Sequence, residues 1–257
     1  MLRSRKQPKP IKPQTGTLVG YSGRREVYIP DNAKHVFVCG TTGAGKTVAL
    51  SNFIKNAIGN DMPALIIDGK GDMGAGALLD ITNTLNNGKK KVYVVNLSDP
   101  ESSDKYNPFF GASSAMATDM LINMTDWSEE HYKLNAERYI QRILQLMELG
   151  QFSLSFRKII KCMKPDNFTK LSNHLLEKEL ISKQEHIENL DLLKTSGKIA
   201  QSSVARFSTI AESHAGKILS DKGINIAQAL KENAIILFIL NPAIPRVKPR
   251  LWQTGAD

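Results

Sequence analysis

The residues with the clearest chemical meaning form one glycine-rich string near the N-terminus. Gly40-Thr41-Thr42-Gly43-Ala44-Gly45-Lys46-Thr47 matches the P-loop pattern at both fixed glycines and at the final lysine and threonine. In such a loop, successive backbone N–H groups surround phosphate oxygens, and glycine allows positive φ and a close approach of the backbone. We expect Lys46 to reach the β and γ phosphates of ATP and the Thr47 hydroxyl to bind Mg²⁺.

Hydrolysis of the bound nucleotide requires an acid at the end of a second strand, which holds Mg²⁺ through water or polarises the attacking water. Asp68 is the nearest candidate because it follows the apolar run Leu65-Ile66-Ile67. Gly69-Lys70-Gly71-Asp72 comes next, and no run of four apolar residues followed by Asp-Glu occurs in the chain. Two interpretations stand: Lys46 and Asp68 are the catalytic residues, or the Asp68 segment shapes its loop or contacts other parts of an assembly.

A strand must precede the P-loop and a helix must follow it, and the hydrophobic pattern predicts both. His35–Cys39 is predicted as the first core strand, and apolar residues at helical spacing predict a helix that begins at Lys46 and ends near Gly59. Ala64–Ile67, an unbroken apolar run, predicts a strand covered on both faces. A helix ending at Gly88 and a strand at Val92–Val95 complete an alternation typical of a doubly wound parallel α/β sheet.

The pattern changes to helices after Pro108. Ser128-Glu129-Glu130 and the capping box Ser182–Glu185 mark two helix starts, and Ala234–Leu240 predicts the return of the sheet. We therefore predict a small hairpin around Ser22-Gly23 and five regions. These are a basic arm without a fold (1–16), the P-loop α/β core (17–111), an inserted all-α subdomain (112–211), a return to the core (212–241) and an irregular basic tail (242–257).

Charge, hydrophobicity and cysteine content exclude several classes of protein. The chain has 257 residues with a net charge of +9, from 34 Lys and Arg against 25 Asp and Glu, which favours an anionic partner such as nucleic acid. Its longest apolar run is far shorter than the ~20 residues that cross a bilayer, and no secretory h-region follows the basic N-terminus, so we expect a cytoplasmic protein. Cys39 and Cys162 suggest neither a disulfide nor a zinc site. The single histidines are interpreted as structural: His131, His174, His186 and His214.

Three segments together resemble a known family. The P-loop, Ile67-Asp68-Gly69-Lys70-Gly71-Asp72 and Ser103-Asp104-Lys105-Tyr106-Asn107-Pro108-Phe109 are similar to the coupling-protein ATPases of type IV secretion and conjugation. The Tyr-Asn-Pro-Phe string is the most specific of them. The resemblance covers about residues 19–241, and the all-α block falls where that family inserts its all-α domain.

This resemblance implies a RecA-like motor core that assembles as a homo-oligomeric ring around DNA, with ATP sites between subunits. It also implies a relaxase and secretion-channel proteins as partners, and a peripheral position at the inner face of the membrane as the alternative to a purely cytoplasmic one. Family members usually carry an N-terminal membrane anchor and continue after Asn241 into the acid-bearing strand and more of the sheet. We therefore expect a truncated or frameshifted remnant that binds ATP without turning it over.

Other functions remain open from the sequence. The first interpretation is a motor subunit, or its remnant, for conjugative DNA transfer. The second is a nucleotide-dependent protein-binding module without translocation. A P-loop enzyme that acts on a small phosphate acceptor is a weaker hypothesis, because the sequence shows no second arginine-rich phosphate lid. The candidate DNA contacts are the basic arm, Arg24 and Arg25, and the tail residues Arg246, Lys248 and Arg250. Solvated charge on a terminus is the alternative interpretation of these residues.

Overall fold

The structure is a computed structural model that describes residues 16–240, apart from the side chains of residues 198–200. Its strands are β1 (Gly16–Ser22), β2 (Arg25–Pro30), β3 (Ala64–Asp68), β4 (Val92–Asn96) and β5 (Ile235–Ile239). Its helices are α1 (Lys46–Gly59), α2 (Leu78–Asn86), α3 (Ser114–Asn123), α4 (Glu130–Leu149), α5 (Phe156–Met163), α6 (Pro165–Glu177), α7 (Lys183–Glu212) and α8 (Ile226–Lys231). A 3₁₀ turn covers Ala215–Ile218.

The described residues divide into two compact units. The first comprises residues 16–66, 72–92 and 229–236, and the second comprises residues 67–71, 93–228 and 237–240. The predicted basic arm, apart from Gly16 in β1, and the predicted basic tail lie outside the described residues. The five predicted region boundaries stay predictions.

A β-hairpin opens the first unit, as predicted. β1 and β2 pair antiparallel, with Gly16 opposite Pro30 and Ser22 opposite Arg25. Gly23 begins the two-residue turn with φ of +63°, the left-handed conformation that hairpin turns of this length favour in glycine.

A three-stranded sheet with the order β3-β5-β4 confirms the α/β class. Backbone hydrogen bonds follow a parallel register on both sides of β5: they join Ala64 to Ala234, Leu240 to Asp68, Ile235 to Lys91 and Leu97 to Ile239. β5 lies in the middle of the sheet and is almost wholly buried, so its continuous apolar sequence matches its position.

The core of the first unit is small. Ile54 and Ile58 from α1 pack with Ile235. Lys90 is buried nearby, where its ammonium group donates to the Met62 carbonyl and pairs with Asp61 at 3.3 Å. Buried lysines need such partners, so this one ties the loop after α2 to the end of α1.

The second unit has the larger core, built by helices α3 to α7. Its centre contains packed aromatic side chains: Phe156 stacks on Phe109 and meets Phe207 edge to face, with ring centroids about 6.1 Å apart in both pairs. Tyr139 is fully buried and donates to the Met163 carbonyl at 3.0 Å, and this burial raises the pKa of its hydroxyl. Every regular element between residues 112 and 211 is a helix, as the periodicity predicts.

The capping box at the start of α7 is also confirmed. The Ser182 hydroxyl accepts from the Glu185 backbone N–H at 3.1 Å, and the Ser182 backbone N–H donates to the Glu185 carboxylate at 2.8 Å. This backbone bond, with a second from the Ser182 hydroxyl, holds the pKa of Glu185 below its ordinary value. The predicted start of α4 is early by about one residue, since Glu129 instead of Ser128 occupies the N-cap position.

Two strand predictions were wrong. His35–Cys39 has no regular secondary structure, although its residues are β-prone. Phe37 is 91% exposed and Val36 is 43% exposed, because no described strand lies beside this segment to form a ladder with it. β3 forms as predicted but is not covered on both faces, since Leu65 and Ile67 are 49% and 62% exposed.

The Tyr106–Phe109 string joins separate parts of the second unit. The Asn107 side chain is buried, donates to the Leu154 carbonyl at 2.9 Å and accepts from the Phe109 backbone N–H at 3.1 Å. Gly223 lies directly against it, because a Cβ on that glycine would be 2.3 Å from the Asn107 backbone nitrogen. Asn107 therefore acts as a polar bridge inside an apolar core.

We predict that Asn107→Ala lowers the free energy of unfolding by about 2 to 3 kcal/mol, because it leaves a half-buried carbonyl and a buried N–H unpaired. Denaturant unfolding followed by far-UV circular dichroism measures the change. Asn123→Ala is the matched control, since Asn123 makes one exposed bond to the Asp119 carbonyl. Equal unfolding midpoints for the two variants would contradict the bridging role.

Candidate functional site

The P-loop lies in the first unit and leads directly into α1. Lys46 is the first residue of the helix, as predicted, and Gly45 caps it with φ of +81°. Gly43 has φ of +82°. Residues other than glycine rarely adopt this conformation. The backbone conformation therefore requires glycine at two of the three positions.

The third glycine allows a close approach within the loop. A Cβ on Gly40 would be 3.1 Å from the Ala44 Cβ, and the Ala44 backbone N–H donates to the Thr41 carbonyl at 3.2 Å. The loop is therefore a tight turn whose ends lie close to each other.

Lys46 is held against this turn. Its ammonium group donates to the carbonyls of Gly40 and Thr41, at 2.7 Å each. These bonds place a positive charge beside the loop backbone, where it can meet an anion without a large rearrangement of the side chain.

The start of α1 adds to the same electrostatic effect. Its first turn contains no acidic residue, so nothing offsets the partial positive charge at this helix end. Thr47 is the second helical residue and is exposed. The turn, the fixed ammonium group and the helix end together suit a phosphate group.

Asp68 belongs to the second unit, at the end of β3. Its carboxylate is buried and accepts from the backbone N–H groups of Lys70 and Gly71, at 3.0 Å each. These bonds fold the turn after the strand, as the loop-shaping interpretation expects. A catalytic role for Asp68 stays a prediction.

The other candidate residues have varied surroundings. Arg24 and Arg25 are exposed at the tip of the hairpin, whereas Arg246, Lys248 and Arg250 lie outside the described residues. His186 Nδ1 is 2.9 Å from the buried Ser172 hydroxyl, and His131 is 3.1 Å from the Glu129 carboxylate.

The described part of the chain shows neither a metal cluster nor a membrane-spanning helix. Residues 16–240 contain no group of three or more His, Cys, Asp and Glu side chains placed to hold a metal ion. None of the helices described is long and apolar enough to cross a bilayer.

Comparison with known proteins gives a family match over most of the chain. The family described as type IV secretory system conjugative DNA transfer matches residues 3–240. An uncharacterized protein of Mycoplasma pneumoniae is 37% identical over 62 residues, which are 24% of this chain and 52% of that protein.

A solved structure is also similar to this chain. The bacterial conjugative coupling protein TrwBdeltaN70, in an unbound monoclinic form, aligns with a TM-score of 0.49 and 16% identity over 91% of this chain and 51% of its own. The matched regions therefore span about half the length of each relative.

We predict that Lys46→Ala weakens the binding of Mg·ATP at least about tenfold, or about 1.4 kcal/mol, because it removes the charge held at the loop. Titration with a fluorescent ATP analogue measures the affinity. Lys55→Ala, an exposed lysine on the same helix, is the control and should bind as the unmodified chain does. Equal affinities for the two variants would show that Lys46 does not contact the nucleotide.

Proposed function

The chain belongs to the type IV secretory system conjugative DNA transfer family, and we propose that it is the ATP-binding part of a coupling ATPase that moves DNA toward a secretion channel. The observation that carries the proposal is the Lys46 ammonium group, fixed at 2.7 Å from two carbonyls of a loop with positive φ at two glycines. A loop preorganised in this way favours a nucleotide phosphate.

Within this proposal, each residue of the loop has a distinct role. The backbone N–H groups of residues 40–47 bind the phosphates, Lys46 contacts the β and γ phosphates, and the Thr47 hydroxyl is a ligand of Mg²⁺. The metal ion supplies charge neutralisation at the γ phosphate. Asp68 is the candidate acid for orienting water, since it ends a strand of the sheet.

DNA is the proposed polymer substrate, bound through its phosphates without sequence preference. The net charge of +9 supports an anionic partner, and exposed Arg24 and Arg25 supply a compact positive site in the first unit. A relaxase, secretion-channel proteins and further copies of the chain are the proposed protein partners. The proposed location is the cytoplasm or the inner face of the membrane.

A second candidate function follows from the contacts of Asp68. Two backbone N–H groups donate to one of its carboxylate oxygens, so the residue stabilises its own turn without the help of a metal ion or a water molecule. This favours a nucleotide-dependent protein-binding module, in which ATP occupies the P-loop and no translocation takes place.

Steady-state phosphate release separates the two functions. Turnover that DNA raises above the level of the Lys46→Ala variant supports the coupling ATPase, and its loss in Asp68→Asn assigns the acid. ATP binding with no turnover above that variant, with or without DNA, supports the binding module.

We predict that the affinity for DNA falls steeply between about 50 and 200 mM salt and differs little between sequences, because phosphate contacts release counterions. Arg24→Ala/Arg25→Ala should weaken binding and reduce the salt slope by about 1 to 2. Fluorescence anisotropy with labelled duplexes measures both. Lys178→Ala/Lys183→Ala removes two exposed lysines elsewhere and serves as the control. Affinity that does not change with salt would argue for a protein partner instead.

A further inference from the structure

The helical unit contains an apolar cavity that the nucleotide site does not use. It has a volume of about 250 Å³ and lies among α4, α5 and α6. Its apolar walls are Met147, Phe152, Cys162 and Leu171. Small-molecule sites typically occupy about 300 to 1,000 Å³, so this cavity suits one side chain better than a whole cofactor.

The aromatic wall is fixed by the end of α4. Gln151 adopts φ of +56°, and the Phe152 backbone N–H donates to the Met147 carbonyl at 2.8 Å. The Phe152 ring rests on Gly150, where an added Cβ would be 2.5 Å from it. Phe152 is nevertheless 41% exposed, so a rigid aromatic surface faces solvent at the cavity.

The charged side chains that line the cavity are both basic, Lys158 and Lys161. In the sequence around them, four cations and no acid lie between Glu148 and Asp166: Arg157, Lys158, Lys161 and Lys164. Arg157 donates to the Ala211 carbonyl, and Lys158 pairs with Asp221 at 2.9 Å. Lys161 lines the cavity and is exposed. Among residues 16–240, Lys161 has no ion-pair partner, so its charge is available to a ligand at the cavity.

We propose that this cavity is a docking site for an acidic protein segment, which inserts one large apolar side chain between Phe152 and Leu171 and places a carboxylate against Lys161. An apolar anchor in a desolvated pocket supplies affinity, and the basic rim supplies charge complementarity. The proposal does not depend on ATP binding, because every residue it uses lies in the helical unit.

A peptide fits this site better than nucleic acid does. DNA phosphates would satisfy the lysines but would leave the apolar walls exposed. An acidic segment with an apolar residue satisfies both parts of the site.

The probe is a synthetic fluorescein-labelled peptide with a central phenylalanine flanked by glutamates, titrated into the full chain by fluorescence anisotropy. Two matched peptides replace the phenylalanine by alanine or the glutamates by lysine. We expect the first peptide to bind at least about tenfold more tightly than either control. Absence of saturable binding, or equal affinities for the phenylalanine and alanine peptides, would overturn the proposal.

Variants of the chain test which part of the site is used. Lys161→Glu should weaken the peptide at least about fivefold by replacing attraction with repulsion. Lys178→Glu, at the far end of α6, should change the affinity less than about twofold. Cys162→Leu fills the cavity and should abolish binding. If that variant does not fold, Phe152→Ala, which removes an exposed wall, should weaken binding instead, and unchanged affinity there rejects the site.

Thiol labelling locates the bound peptide. In a Cys39→Ser background, Cys162 is the remaining thiol, and its burial raises its pKa, so labelling is measured at mildly alkaline pH. The peptide should slow modification of Cys162 at least about threefold at saturation. An unchanged rate would place the peptide elsewhere. Protection by a single-stranded oligonucleotide, or self-association that Lys161→Glu abolishes, would replace the acidic segment by nucleic acid or by a second copy.

Discussion

The placement of β5 between β3 and β4 is the constraint on which the rest of the structure depends. β3 and β4 are close in sequence, yet they make no ladder with each other, and both bond to a strand that follows more than a hundred residues later. The long helical block must therefore leave after β4 and bring the chain back at one defined point. Forming such non-local parallel pairs is slow and costs loop-closure entropy. The burial of β5 offsets that cost.

Sequence patterns predicted the elements whose stability is local. The capping box of α7 and the start of α1 at Lys46 depend on residues within one turn of each other, and both are confirmed. The same kind of pattern was wrong for His35–Cys39, since β-propensity describes a residue that fits a half-buried surface and a strand needs a neighbour to pair with. The exposure of Phe37 shows the missing partner directly.

The candidate sites also differ in whether local sequence or the folded structure defines them. The P-loop pattern is contained in eight consecutive residues, so the sequence displays it directly, and the structure adds the glycine conformations and the position of the Lys46 ammonium group. The sequence could not predict the hydrogen bonds between the Asp68 carboxylate and its own turn, because an acid after an apolar run has two interpretations. The helical cavity has no signal of its own, because Met147, Cys162 and Leu171 come from three helices that meet only in the folded unit.

The net charge of +9 overstates the positive charge that is available to bind a partner. Several cations are bound to the protein itself: Lys90 is buried beside Asp61, Arg157 holds the last turn of α7 through the Ala211 carbonyl, and Lys217 pairs with Glu101 at 2.7 Å. A cation whose donors are already used in this way contributes little to recognition. Among residues 16–240, the cations proposed to attract a ligand are Lys46 beside the P-loop, Arg24 and Arg25 at the hairpin tip, and Lys161 on α5. Since these cations belong to different units and have different neighbours, the two proposed ligands, a nucleotide or DNA phosphate and an acidic segment, would bind separate surfaces.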